Sequence, residues 1–195
     1  MRLYGLTGGV GMGKSTCATV LAGMGVRVVD TDDLARSFTE PGHPAVKEIS
    51  RQFGPEVIDS TGRLDRGALA RIVFQNSSAR AALESILHPR IIAAWKQIVE
   101  GWRREDVALG VVVIPLLFET EAEPHFDATV CVACSKASQQ ERLAQRGWTS
   151  DESARRIEAQ LPIEDKMARA DYVIWSEGEQ SVLSPQIERI FHPAK

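Results

Sequence analysis

The stretch Gly8-Gly9-Val10-Gly11-Met12-Gly13-Lys14-Ser15 follows the spacing G-x-x-x-x-G-K-[ST]. It lies after an apolar run and before a helical pattern, the setting in which that spacing has a mechanism. Glycine tolerates positive φ, so successive backbone N–H groups can turn toward one point, and the following helix aims its positive end at the same place. The chemistry served is polyphosphate binding. Lys14 reaches β- and γ-phosphates as a point charge, and the Ser15 hydroxyl is placed to ligate Mg²⁺.

A second polar group follows a β-branched run: Val28-Val29 leads into Asp30-Thr31-Asp32-Asp33, three carboxylates at the end of a predicted strand. Ligands bind at the carboxyl edge of a doubly wound sheet. If the extended conformation persists, Asp30 and Asp32 project to the same side, and one of them can accept the proton of an attacking hydroxyl. The alternative for Asp32 is structural, as the cap of a helix beginning Asp33-Leu34-Ala35-Arg36. Arg142 and Arg146, four apart on a helix predicted from Ser138, share a face and can converge on phosphate oxygens, although surface helices carry such arginines routinely. Arg155 and Arg156 read as a solvated face.

Positioning these groups requires a sheet. Leu3–Thr7, Val26–Val29, Val107–Ile114, Thr129–Ala133 and Tyr172–Trp175 are strand candidates, and their alternation with helical patterns predicts a parallel α/β sheet wrapped by helices. Between the second and third strands, helical patterns run over Pro44–Phe53, Arg66–Phe74, Ala79–Leu87 and Pro89–Arg103, with Pro41-Gly42 and His88-Pro89 as breaks. Residues 39–104 are therefore expected to form a helical subdomain inserted into a core of 1–38 and 105–195. Residues 146–170, charged and interrupted by Gly147 and Pro162, are expected to form a mobile cover. No internal repeat or low-complexity segment is visible.

The chain has 195 residues with 23 Lys+Arg against 26 Asp+Glu, a formal charge of −3. That balance argues against duplex nucleic acid as the main partner. The longest apolar stretch, Val107 to Phe118, is broken by Gly110 and Pro115 and falls short of the roughly 20 residues that cross a bilayer. No membrane association and no obligate protein partner are expected. Cys17, Cys131 and Cys134 are too few and too scattered for a disulfide framework, which fits a cytoplasmic setting. Cys131 and Cys134 have C-x-x-C spacing, but positions i and i+3 on a strand face opposite ways, so they are expected in the core. His43, His125 and His192 show no ligand spacing. His88 either bounds a helix or touches a substrate.

Several segments taken in order resemble the dephospho-coenzyme A kinase family. They are Gly5-Leu6-Thr7-Gly8-Gly9-Val10-Gly11, the pair Asp30 and Asp32 followed by Ala35-Arg36, Leu87-His88-Pro89, Pro115-Leu116-Leu117-Phe118-Glu119 and Ala170-Asp171-Tyr172-Val173-Ile174. The match runs over most of the chain. It implies a three-layer P-loop kinase fold with a five-stranded parallel sheet, an inserted helical domain facing coenzyme A, and a helical lid. It also implies phosphorylation of the ribose 3′-hydroxyl of dephospho-coenzyme A by ATP with Mg²⁺. Within that resemblance Asp32 falls on the catalytic carboxylate, Lys14 on the loop lysine, Leu116 on an apolar substrate position and Arg142 on a phosphate-contacting arginine. The expected nucleotide site comprises Gly9, Gly11, Met12 and Gly13, then Lys14, Ser15 and Thr16, with Arg142 and Arg146. The expected acceptor site comprises Asp32, Arg66, His88 and Leu116, Arg66 being equally explicable by an exposed ion pair. Two positions depart from the family pattern: Met12 replaces a small residue and is expected to contribute only its backbone, and Trp175-Ser176-Glu177-Gly178 replaces a common Asn-x-Gly. Another nucleoside or nucleotide kinase is the alternative. A GTPase or ATPase switch fits less well, because no Asn-Lys-x-Asp element is present and the third strand ends in Ile114-Pro115.

Overall fold

The computed structural model describes residues 1–191, so His192 lies outside the described residues. The chain enters directly into β1 (Arg2–Gly8), buried from Leu3 onward as a strand covered on both faces must be. It occupies the middle of a five-stranded sheet in the order β2-β3-β1-β4-β5, with β2 Arg27–Asp30, β3 Leu109–Val113, β4 Ala128–Ala133 and β5 Tyr172–Trp175. All neighbours are parallel, and Leu6 and Asp30 both pair with Val113 from opposite sides. The carboxyl ends of β1, β2 and β3 therefore share one edge. The expected strands are all present, with ends shifted by a residue or two.

Helices α1 (Lys14–Gly23) and α9 (Gln180–Phe191) supply Cys17, Leu21, Leu183, Ile187 and Phe191 to the main core, where they meet Leu6, Val111, Val113, Val130, Val132 and Ile174. Two compact units are discernible, one of Met1–Asp30 with the chain from Val99 onward, the other of Thr31–Ile98. The second unit contains α2 (Thr31–Phe38), α3 (Pro44–Phe53), α4 (Arg66–Gln75) and most of α5 (Ser77–Arg104). Its own core gathers Ile49, Val57, Leu64, Leu69 and Val73. His43 caps α3 by accepting from the Ala45 N–H, and Asp65 caps α4 by accepting from the Ala68 N–H.

The break expected at His88-Pro89 is absent. A single helix α5 runs through both residues, which removes the helix-boundary role for His88. Proline inside a helix forfeits one hydrogen bond and costs about 3 kcal/mol. Burial on both sides opposes that cost: Ile86 and Leu87 pack on the Ile49 cluster, and Trp95, Val99 and Trp102 are buried further along. Arg90 also donates its guanidinium to the Ile86 carbonyl in the disturbed turn.

Candidate active site

The phosphate loop has the shape its glycines permit. Gly8 has φ 145°, and a Cβ there would stand 2.2 Å from the Val132 carbonyl oxygen, so only glycine lets the chain leave β1 alongside β4. Gly13 is the left-handed N-cap of α1 at φ 96°. Because glycine caps it, no side chain competes for the N–H groups of the first turn. Lys14 curls back over this arc and donates from Nζ to Gly8 O at 2.8 Å and Gly9 O at 2.9 Å. Ser15 and Thr16 are exposed in the same turn.

Beside the loop lies a cavity of about 370 Å³, of the size that takes small ligands. Gly11, Gly13 and Thr16 form one wall. Arg142, Gln145 and Arg146 come from the end of α6 (Lys136–Gln145), and Ser176, Gly178, Glu179 and Leu183 complete the lining. Both arginines singled out in the sequence therefore reach one cavity. Arg142 is half-buried and clasps Ser176, donating from Nη1 to Oγ at 3.0 Å and from Nη2 to the carbonyl at 2.5 Å. Ser176 Oγ donates in turn to Met12 O at 2.7 Å.

The segment departing from the family's Asn-x-Gly is thus a built wall of the cavity. Glu177 accepts from the Ser138 and Ser135 hydroxyls, each at 2.7 Å, and from the Ser135 N–H at 3.1 Å. Those bonds, led by the Ser138 hydroxyl, hold its carboxyl below the usual range. Met12 does more than lend its backbone, because its side chain is buried with Ala133, Cys134, Ile163 and Met167 and anchors the loop. Gln139 completes the fixing by donating to Val10 O at 2.8 Å. Gln139 carries no sequence signal of its own, since its partner lies far away in the chain, while Ser176 and Glu177 stand out in the sequence only as a departure from the family pattern.

Asp32 is placed differently from expectation. The extended conformation stops at Asp30, and α2 begins at Thr31, so alternation does not put Asp30 and Asp32 on a common side. Asp32 lies inside the first helical turn and is exposed, which also removes the expected capping of a helix starting at Asp33. Arg66 donates to Arg36 O, Thr39 Oγ1 and Glu40 Oε1 at 3.1–3.3 Å, binding the end of α2. His88 is half-buried midway along α5, and Leu116 is half-buried in the turn after β3. Arg156, on α7 (Ser150–Glu158), does not belong to a freely solvated face: it pairs with Glu152 at 3.0 Å and lies 4.0 Å from the Trp148 ring centre.

All three cysteines are buried free thiols. Burial pushes Cys17 up to about 12 and Cys131 up to about 11, so neither is a nucleophile near neutral pH.

A central parallel strand feeding a glycine-rich phosphate loop, next to a cavity with two arginines, defines a P-loop kinase. A family model described as Dephospho-CoA kinase matches residues 2–181. The chain belongs to the dephospho-CoA kinase family, whose reaction is the last step of coenzyme A biosynthesis. A dephospho-CoA kinase of Anaeromyxobacter dehalogenans is 42% identical over 191 residues, covering 97% of this chain and 90% of that protein. A crystal structure from Thermus thermophilus aligns with a TM-score of 0.82 at 34% identity, covering 97% of this chain and 95% of the other. The dephospho-CoA kinase from Campylobacter jejuni, with a TM-score of 0.70 at 22% identity and coverage of 97% and 96%, shares the fold.

Proposed function

We propose that the chain transfers the γ-phosphoryl group of ATP to the 3′-hydroxyl of dephospho-coenzyme A, with Asp32, Lys14 and Arg142 carrying the chemistry. The observation that supports this most directly is the phosphate loop opening on a cavity reached by both Arg142 and Arg146. Lys14 exchanges the Gly8 and Gly9 carbonyls for β- and γ-phosphate oxygens, and Arg142 adds charge as the transition state forms. Asp32 follows the carboxyl end of β2 by two residues and takes the proton of the acceptor hydroxyl.

No cluster of three or more His, Cys, Asp or Glu able to hold a metal occurs among the described residues. An ion that keeps waters and binds chiefly through substrate phosphates fits this donor set, with the exposed Ser15 hydroxyl as its protein ligand. Bound there, Mg²⁺ neutralises charge on the β- and γ-phosphates. Acceptor contacts are assigned to Arg66, His88 and Leu116, the acceptor-facing part to 39–104 and the lid to 146–170. A cytoplasmic setting is proposed from the free thiols; among the described residues no helix is long and apolar enough to cross a membrane.

The test is ADP release against a panel of acceptors, with mapping of the new phosphate. The pantetheine arm supplies remote binding energy that a bare nucleoside lacks. Expected kcat/KM for dephospho-coenzyme A exceeds that for adenosine or AMP by at least about 10²-fold, roughly 2.7 kcal/mol of differential transition-state binding. Comparable efficiency with AMP, or a phosphate at the 5′ end, overturns the acceptor assignment.

A further inference from the structure

Helix α8 (Ile163–Arg169) carries Lys166, a lysine with 0% of its side chain exposed. Lysine is almost never buried so completely unless its charge is used. Its ammonium donates to Pro115 O at 2.7 Å and pairs with Glu119 Oε1 at 2.8 Å. Pro115 O also accepts from the Thr7 hydroxyl at 3.1 Å, and Thr7 is the residue before Gly8, where the phosphate loop begins. Glu119 Oε1 accepts in addition from the Leu161 N–H at 2.9 Å. One ammonium therefore ties together the exit of β1, the turn Pro115–Glu119 and the joint ahead of α8.

The pair is poorly arranged for stability alone. Both donors converge on Oε1, while Glu119 Oε2 is buried without a hydrogen-bond partner. The Cys131 thiol, raised chiefly by burial, is pulled back by both Lys166 and Lys14. One helical turn on, Arg169 pairs with Glu123 and lies 4.7 Å from the Phe118 ring centre, so α8 is fastened to the same turn twice.

We propose that Lys166 is a positioning residue for phosphoryl transfer, holding the Pro115–Glu119 turn in fixed register with the entrance to the phosphate loop through the carbonyl that it shares with Thr7. This rests on the phosphotransfer reading above. A register error at this junction displaces reacting groups without removing any binding contact, so it lowers kcat more than it raises KM.

The test compares two variants with the native enzyme, using ATP and dephospho-coenzyme A. Lys166→Met combined with Glu119→Leu removes both charges and leaves no orphaned ion. Its unfolding temperature is expected within a few degrees of native, with kcat down at least about tenfold and both KM values within about threefold. Thr7→Val keeps shape and removes only the second donor to Pro115, so it folds even if the double variant does not. Its kcat is expected to fall about threefold to tenfold at unchanged KM. Native kcat in Thr7→Val, or in a folded double variant, overturns the positioning role. A rise in KM for ATP that accounts for the whole loss overturns it too. Absence of turnover in the native enzyme instead overturns the functional reading beneath it.

Discussion

Replacing Asp32 by asparagine keeps the volume of the side chain and removes only its charge, which makes it a clean probe of the proposed base. Loss of a general base is expected to lower kcat by about 10²- to 10⁴-fold while ATP affinity holds. Asp32 stands in the first turn of α2, where a carboxylate interacts with the helix dipole for about 0.3–1 kcal/mol, so unfolding shifts by only a few degrees. Turnover near native in a steady-state assay would move the base elsewhere. Arg142 poses a different question, because it is already engaged with Ser176 at the cavity wall. Arg142→Ala is expected to reduce kcat/KM for ATP by about one to two decades, as befits a charged hydrogen bond of about 1.5–3 kcal/mol. Ser176→Ala, which keeps the guanidinium, should cost much less; an equal loss would mean that Arg142 works only by holding the wall. Lys14 and the glycines were legible in the sequence because their mechanism is local and the spacing itself is the device. Gln139 and Lys166 were not, since each acts through a partner brought near by the sheet and each residue type is ordinary on a surface helix, and Ser176 was marked only as a departure from the family pattern.

The strands could be read because buried parallel strands are largely apolar runs; the caps His43 and Asp65, though they act within three residues of their own positions, emerge only from the structure. Two boundaries differ from the sequence reading, and neither is marked by a local pattern. At α2 the helix starts directly from β2, and at α5 burial on each side of Pro89 carries the helix through a residue that locally opposes it. The second case yields a prediction. Pro89→Ala restores an N–H able to bond within the helix, worth up to about 3 kcal/mol, against about 0.4–1 kcal/mol lost because the unfolded chain gains freedom. A net gain of about 2 kcal/mol is expected, read as a higher denaturant midpoint at unchanged slope. A lower midpoint would show that the packing of Ile86 and Leu87 requires the proline. Helix α8 stands at the other extreme, short but fastened through Lys166 and Arg169.

Across the molecule, the edge strand β5 is held at both ends by carboxylates. Before it, Asp171 accepts from the Thr129 N–H at 2.7 Å and the Thr129 hydroxyl at 2.8 Å, joining it to the start of β4. After it, Glu177 grips Ser135 and Ser138 at the start of α6. The exposed backbone of the strand is occupied too, because the Gln186 side chain accepts from the Trp175 N–H and donates to its carbonyl, each at 3.0 Å, leaving less of that edge open to a foreign strand. Hydrogen bonds from Thr129, its N–H foremost, lower the Asp171 carboxyl, as those from Ser138 and Ser135 lower Glu177. A carboxylate with a depressed folded-state pKa binds fewer protons folded than unfolded across the interval between its two values. Its stabilisation is therefore complete above the ordinary carboxylate range and disappears as pH falls through the folded-state values. Protonation weakens the hold on both ends of β5, and Glu177 neighbours Ser176 and Gly178, which line the cavity beside the phosphate loop. Melting curves of Glu177→Gln and Asp171→Asn should lie below native at about pH 7 and approach it as pH falls below the ordinary carboxylate range and the native carboxyls become protonated in the folded state as well. Nucleotide affinity should follow the same course for Glu177→Gln and stay near native for Asp171→Asn, whose partners lie at the opposite end of the sheet. A gap that stays constant with pH would mean that the lost contribution is geometric rather than electrostatic. Equal loss of affinity in the two variants would mean that β5 transmits strain along its whole length.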